Sequence, residues 1–168
     1  LSPDGTLLAF VGVDDEGVRQ LYMRPLASSE STAMAGTSGA MHPFFSPDGR
    51  SIGFFADGTL QRVGIGGGAP LRVSPLPGID AGGTWSQDDV IVLAIRGRGI
   101  FKVSGAGGTL EPIAQGLRGT WPSFLPNGST ILYTSFSNGG RATGLAVISR
   151  DGTGQRDIAR LSDVDGAG

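Results

Sequence analysis

A five-residue phrase, repeated at nearly constant spacing, constrains this chain more than any other feature. Leu1-Ser2-Pro3-Asp4-Gly5 returns as Phe45-Ser46-Pro47-Asp48-Gly49, then in altered form as Trp85-Ser86-Gln87-Asp88-Asp89 and Phe124-Leu125-Pro126-Asn127-Gly128. Ser2, Ser46, Ser86 and Leu125 stand 44, 40 and 39 residues apart, and 43 residues follow Leu125. Four periods near forty residues indicate one supersecondary unit used four times.

Each period reads alike inside. The phrase is followed by a β-prone run: Leu7 to Val13, Ser51 to Ala56, Val90 to Ile95 and Thr130 to Ser135. A tight turn rich in Gly with Asp or Asn, such as Asp57-Gly58 or Asn138-Gly139-Gly140, supplies positive φ and leads to a second run. These second runs are Gln20 to Leu26, Leu60 to Ile65, Ile100 to Ser104 and Gly144 to Ser149. In three periods a glycine turn then opens a short third run: Leu71 to Val73, Leu110 to Ile113 and Arg156 to Ala159. The residues before the phrase, such as Pro43 to Ser46 and Pro122 to Leu125, supply a fourth strand.

Four short antiparallel strands every forty residues is the arithmetic of a β-propeller blade. The expected fold is therefore all-β: about four consecutive four-stranded antiparallel blades, near 1–42, 43–82, 83–121 and 122–168. Apolar residues at helical spacing are almost always interrupted by Gly or Pro, so helix should be nearly absent. Leu1 stands after the place of an innermost strand, and Val164 to Gly168 offers no aromatic in its stead. The expectation is an open fragment of a six- to eight-bladed ring, with a closed four-bladed ring as the alternative. Unpaired blade edges would then favour self-association.

Composition narrows the partners. Gly and Pro make up 40 of the 168 residues, yet 39% of the chain is hydrophobic, too much for a disordered segment. Glycine is thus read as turn punctuation. Only 17% of residues are charged and the net charge is −2, which leaves no basic field for nucleic acid or anionic lipid. No apolar run reaches the ~18 residues of a membrane span. The absence of cysteine removes disulfides and thiolate chemistry.

The phrase has a mechanical reading. Pro3 and Pro47 fix φ at a turn corner, Asp4 and Asp48 can bond the following backbone, and Gly5, Gly49 and Gly128 accept positive φ. Pro126 and Asn127 play these parts in the fourth copy. Gln87 and Asp89 replace Pro and Gly in the third, leaving its turn type open. The preceding aromatics, Phe45, Trp85 and Phe124, belong on inner strands as filling between blades.

At these residues the chain resembles the TolB-type β-propeller repeats, whose signature is an aromatic, Ser-Pro-Asp-Gly, an Ile-Ala-Phe-like strand and a later Gly-Gly turn. The matches are Phe45 to Gly49 with Ile52-Gly53-Phe54-Phe55 and Gly66 to Gly68, Leu1 to Gly5 with Leu8-Ala9-Phe10, and Pro126 to Gly128 with Ile131-Leu132-Tyr133. The resemblance covers essentially all of the chain and specifies fold far better than function. The wording of Ile52 to Gly58, Gly83 to Trp85 and Trp121 to Gly128 is similar to the C-terminal propellers of bacterial membrane-anchored serine/threonine kinases. That likeness implies an extracytoplasmic accessory or sensor domain. Similar propellers also precede peptidase domains of the prolyl oligopeptidase class. The kinase signatures themselves are absent from this sequence.

Candidate chemistry is sparse. Gly64-Ile65-Gly66-Gly67-Gly68-Ala69 formally matches a dinucleotide fingerprint, but Pro70 to Pro75 reads as a strand and not as the helix that motif needs. Asp14 to Gly17 and Asp163 to Gly166 share fragments of calcium loops without a terminal bidentate Glu. His42 is the sole histidine, and no Gly-x-Ser-x-Gly elbow exists to partner it. Catalytic residues, metal ligands and cofactors are accordingly expected to be none. Aligning the phrases puts His42 opposite Gly82 and Trp121, just before the inner strand. His42 is then either a loop residue beside Pro43 or a contact at the channel mouth. Trp121 is the better interface candidate of the two tryptophans. Arg96, Arg98 and Arg118 form the nearest approach to a cationic cluster, suited to an anion or an acidic partner. Asn127-Gly128-Ser129 is a formal glycosylation sequon explained by its turn. The reading is a non-catalytic module that presents loops and a channel face to a protein, peptide or small ligand.

Overall fold

The structure, a computed structural model, describes residues 1–137 and 140–161. Asn138 and Gly139 of the fourth-period turn, the Asp163 to Gly166 calcium-loop fragment and the Val164 to Gly168 tail lie outside the described residues. Fifteen strands are present among those described, and no α-helix. They form four antiparallel sheets in strict chain order.

The first sheet is β1 (Leu7–Val13), β2 (Arg19–Pro25) and β3 (Thr32–Ala33). The second is β4 (Met41–Phe45), β5 (Ser51–Ala56), β6 (Thr59–Gly64) and β7 (Leu71–Pro75). The third is β8 (Asp80–Trp85), β9 (Val90–Ile95), β10 (Gly99–Ser104) and β11 (Glu111–Pro112). The fourth is β12 (Gly119–Phe124), β13 (Thr130–Phe136), β14 (Ala142–Ser149) and β15 (Arg156–Arg160). Three sheets thus carry four strands, and the first carries three, lacking the counterpart of β4, β8 and β12. Strand β1 is hydrogen-bonded along one side only.

Packing between successive sheets makes three apolar layers. Ile52 and Phe54 of β5 meet Leu21 of β2 and Met34 just past β3, whereas Phe55 and Leu60 face Leu93 and Ile95 of the third sheet. Val92 and Ala94 of β9 then meet Ile131 and Tyr133 of β13. A strand sandwiched between two sheets buries both faces, which is why β5 and β9 read as continuous apolar runs and not as alternating ones. Each fully buried Phe, Leu or Ile in these layers is worth about 1.5–3 kcal/mol. Inner strands β4, β8 and β12 lie side by side; the amide of Phe124 donates to the Thr84 hydroxyl across that seam at 3.3 Å.

The glycine run at 66–68 closes a turn before β7. A strand therefore stands where the dinucleotide motif would need its helix, and no phosphate site forms there.

Candidate functional site

All three inner strands break register near their start, β8 one residue further from the phrase than β4 and β12. The irregularity falls between Met41 and Phe44, between Asp80 and Gly83, and between Thr120 and Ser123. Two residues of each inner strand oppose one of its neighbour there, as in a β-bulge, a device that re-aims side chains. Pro43 and Pro122 sit in two of these bulges, where a missing N–H costs no ladder bond. His42 at φ 47°, Gly82 at φ 90° and Trp121 at φ 53° share a left-handed backbone. For His and Trp such a conformation costs of order 1–3 kcal/mol and is held by its surroundings.

Those surroundings are one another. The His42 Nδ1–H donates to Asp80 Oδ2 at 2.5 Å, and Asp80 is buried. The imidazole meets the Trp121 indole edge to face, with ring centroids 4.7 Å apart. Beneath the indole lies Gly82. A Cβ at position 82 would stand 2.7 Å from Trp121 Cε3, so only glycine leaves room for the ring. Trp121 is nevertheless 52% exposed, with one face against His42 and Gly82 and the remainder open to solvent. A large aromatic that is rigidly seated and half in water is the side chain most often found anchoring an interface.

Trp121 also borders a second, larger space. A cleft of about 320 Å³ between the third and fourth sheets is lined by Arg96, Arg118, Thr120, Trp121, Phe136 and Ser137, whereas the recess at His42 and Gly82 holds about 150 Å³. Arg96 comes from the β9–β10 hairpin and Arg118 from the entry to β12. Gly99 brings them together, because a Cβ there would lie 2.4 Å from the Leu117 carbonyl oxygen. Arg98 points elsewhere, its Nε within 3.7 Å of the Cβ position of Gly78. The three arginines thus divide into a pair in the cleft and a separate one.

The opposite ends of the inner strands carry the repeated phrase. Ser46 Oγ donates to Asp48 Oδ1 at 2.6 Å and accepts from the Ser51 amide, while Asp48 Oδ1 accepts from the Arg50 amide. Ser2 and Asp4 make the same network, and Ser86 bonds Asp88 and the Val90 amide in the same way, without an amide onto Asp88. The serine hydroxyls, then the backbone amides of Thr6 and Arg50 and the Arg150 side chain, hold the carboxyls of Asp4, Asp48 and Asp88 below their ordinary value. Asp88 is further tied to the fourth sheet by its ion pair with Arg150. In the fourth copy Leu125 has no hydroxyl, and the Asn127 side-chain oxygen accepts from the amides of Ser129 and Thr130 instead.

The third turn, left open by sequence, keeps the fold of its siblings with one residue fewer. Asp89 adopts φ 63° where Gly49 has 69°. Its amide closes the turn onto Ser86 O as that of Gly49 does onto Ser46 O, and its side chain accepts from Trp85 Nε1 at 3.0 Å. A cleft of about 460 Å³ flanks these turns, but Asp48 and Asp89 in its wall already serve the turns themselves.

Sequence reasoning missed Asp80. Its spacing to the third phrase marks nothing, and its partner His42 is 38 residues away. Phe136, at the end of a strand with ordinary β composition, likewise gave no signal. Among the described residues no group of three His, Asp or Glu side chains is placed to hold a metal ion.

Solved structures share this arrangement of sheets. A protein assigned as TolB in Agrobacterium tumefaciens superposes with a TM-score of 0.85 at 20% identity, covering 96% of this chain and 64% of its own length. An oligogalacturonate lyase in complex with manganese gives 0.69 at 18% identity, over 95% of this chain and 51% of the lyase. A chain of a nidogen/laminin complex gives 0.75 at 14% identity, over 92% of this chain and 61% of that one. This chain spans less than two-thirds of each. Likeness at such identities concerns the fold alone, and the three proteins show how different the uses of that fold are. No curated protein matches the sequence. The family model for the TolB beta propeller domain matches residues 1–166, so the chain belongs to that family.

Proposed function

We propose that this chain is a non-catalytic recognition module whose binding face is the bulged end of the inner strands, centred on Trp121 and His42, with a protein or peptide as partner. One observation carries the reading: two non-glycine residues of the second and fourth sheets are held in left-handed backbone conformations and brought into contact across Gly82 of the third, and one of them stays half exposed. Trp121 belongs to none of the apolar layers between the sheets, so its exposed face is left for a partner. The nidogen/laminin complex, built on a similar propeller, supports a protein as the class of partner. The family supports a setting outside the cytoplasm.

The probe is a random-peptide phage library panned on the immobilised chain. Peptides enriched on the parent are expected to lose enrichment on Trp121→Ala and on His42→Ala, while Trp121→Ala melts within a few degrees of the parent and His42→Ala melts lower, since buried Asp80 loses its partner. Enrichment insensitive to both substitutions would overturn the reading, as would collapse of the fold in Trp121→Ala. A second reading makes the module the sensor of a larger enzyme, a serine/threonine kinase before a peptidase. The wording of Ile52 to Gly58 and Trp121 to Gly128 favours it, and flanking gene sequence encoding a kinase domain and an apolar helix decides it.

A further inference from the structure

We infer that the cleft between the third and fourth sheets binds a carboxylate borne next to an apolar group, as at the free C-terminus of a peptide ending in an aromatic or aliphatic residue, or in a small free acid of that shape. The inference deepens the recognition reading above and shares with it only Trp121.

Arg96 and Arg118 line one cavity from two separate elements, and no Asp or Glu joins them in its wall. Among the described residues neither makes an ion pair, although Arg150 and Arg160 each have a carboxylate partner. Two arginines lining one space without a counter-charge in its wall favour an anion there. The guanidinium fork matches a planar carboxylate in two parallel hydrogen bonds. The remaining wall is amphipathic. Trp121 and Phe136 offer aromatic surface, and Thr120 and Ser137 add hydroxyls. An inorganic anion would leave those rings uncovered, whereas a carboxylate carrying an apolar side chain uses both halves of the wall. A volume of about 320 Å³ is at the small end of ligand sites, room for one or two residues of a chain end. The Leu117 carbonyl oxygen stands where a Cβ at Gly99 would lie, which sets the hairpin against the segment leading to Arg118 and brings the backbones that carry the two cations together.

The test is calorimetric titration of the whole chain with N-acetylphenylalanine, its amide, and the tripeptide Ala-Ala-Phe with a free C-terminus. The acid should bind in the millimolar range and the amide at least about tenfold more weakly. Arg96→Ala, Arg118→Ala and Trp121→Ala should each weaken the acid by about tenfold, and added salt should weaken it further. Arg98→Ala, whose guanidinium lies over Gly78, should change nothing. Tighter binding of the tripeptide than of the acid assigns the site to peptide ends, and its exclusion assigns it to free acids; both sustain the carboxylate chemistry. Equal binding of acid and amide, no binding of any probe, or equal losses in Arg98→Ala and Arg96→Ala would overturn it. Arg96→Ala, which lines the cleft and not the His42 recess, separates the two proposals. It should weaken acid binding and leave library enrichment intact, so either can fail without the other.

Discussion

The two ends of the inner strands follow opposite rules. At the phrase end the same side chains recur and make the same bonds: Ser2, Ser46 and Ser86 each bridge an Asp and the first strand amide. At the bulge end the backbone recurs but the side chains do not: His42, Gly82 and Trp121 share a left-handed φ and nothing else. A repeated side chain doing a repeated job is how a fold is specified. A repeated backbone carrying different side chains is how one scaffold presents a particular surface. The first region explains why the sheets form alike, and the second is where their inner strands differ from one another.

Substitution at Gly82 tests that contrast most severely. Gly82→Ala places a methyl 2.7 Å from the indole in a backbone of φ 90°, and should cost about 2–4 kcal/mol. A fall in Tm on the order of 10 °C, with altered emission from Trp121, is the expected outcome. An unchanged melt would mean that the bulge end is not held as described. Ser46→Ala comes next. Removing a buried hydroxyl that serves Asp48 and the Ser51 amide should cost about 1–2 kcal/mol, visible in urea unfolding. Peptide enrichment on this variant should equal that on the parent, and its loss would erase the distinction between the two ends.

The smallest effect is on acid stability. The carboxyls of Asp4, Asp48 and Asp88 titrate below the ordinary 3.8 in the folded chain, with the serine hydroxyls as the leading cause. A depressed folded value means that the unfolded chain takes up protons first. The contribution is therefore complete above the ordinary value and fades as pH falls through the range below 3.8. Acid unfolding curves of Ser46→Ala should be shallower in that range than those of the parent. Identical slopes would show that the hydroxyl does not set the carboxyl.

Much of this architecture was legible because its causes are local. Ser-Pro-Asp-Gly makes its turn from residues within five positions of one another, and strands buried on both faces announce themselves as apolar runs. The third turn shows the limit. Gln87 and Asp89 broke the pattern on paper, yet the turn survives because Trp85 Nε1 holds the Asp89 carboxylate over a strained backbone. The arginines show it again. Arg96 and Arg98 stand two residues apart in the β9–β10 turn, but that turn carries Arg98 to Gly78 and leaves Arg96 lining the cleft with Arg118, which comes from the next sheet.

Sequence by itself determined the repeat, the strand inventory, the near absence of helix and the row His42, Gly82, Trp121, since each follows from short-range stereochemistry or from counting. Tertiary structure alone decided what that row touches. The bond from His42 to Asp80 and the indole over Gly82 join residues about one period of chain apart, and the two arginines of the cleft join from adjacent sheets, all meeting only because successive sheets pack against each other.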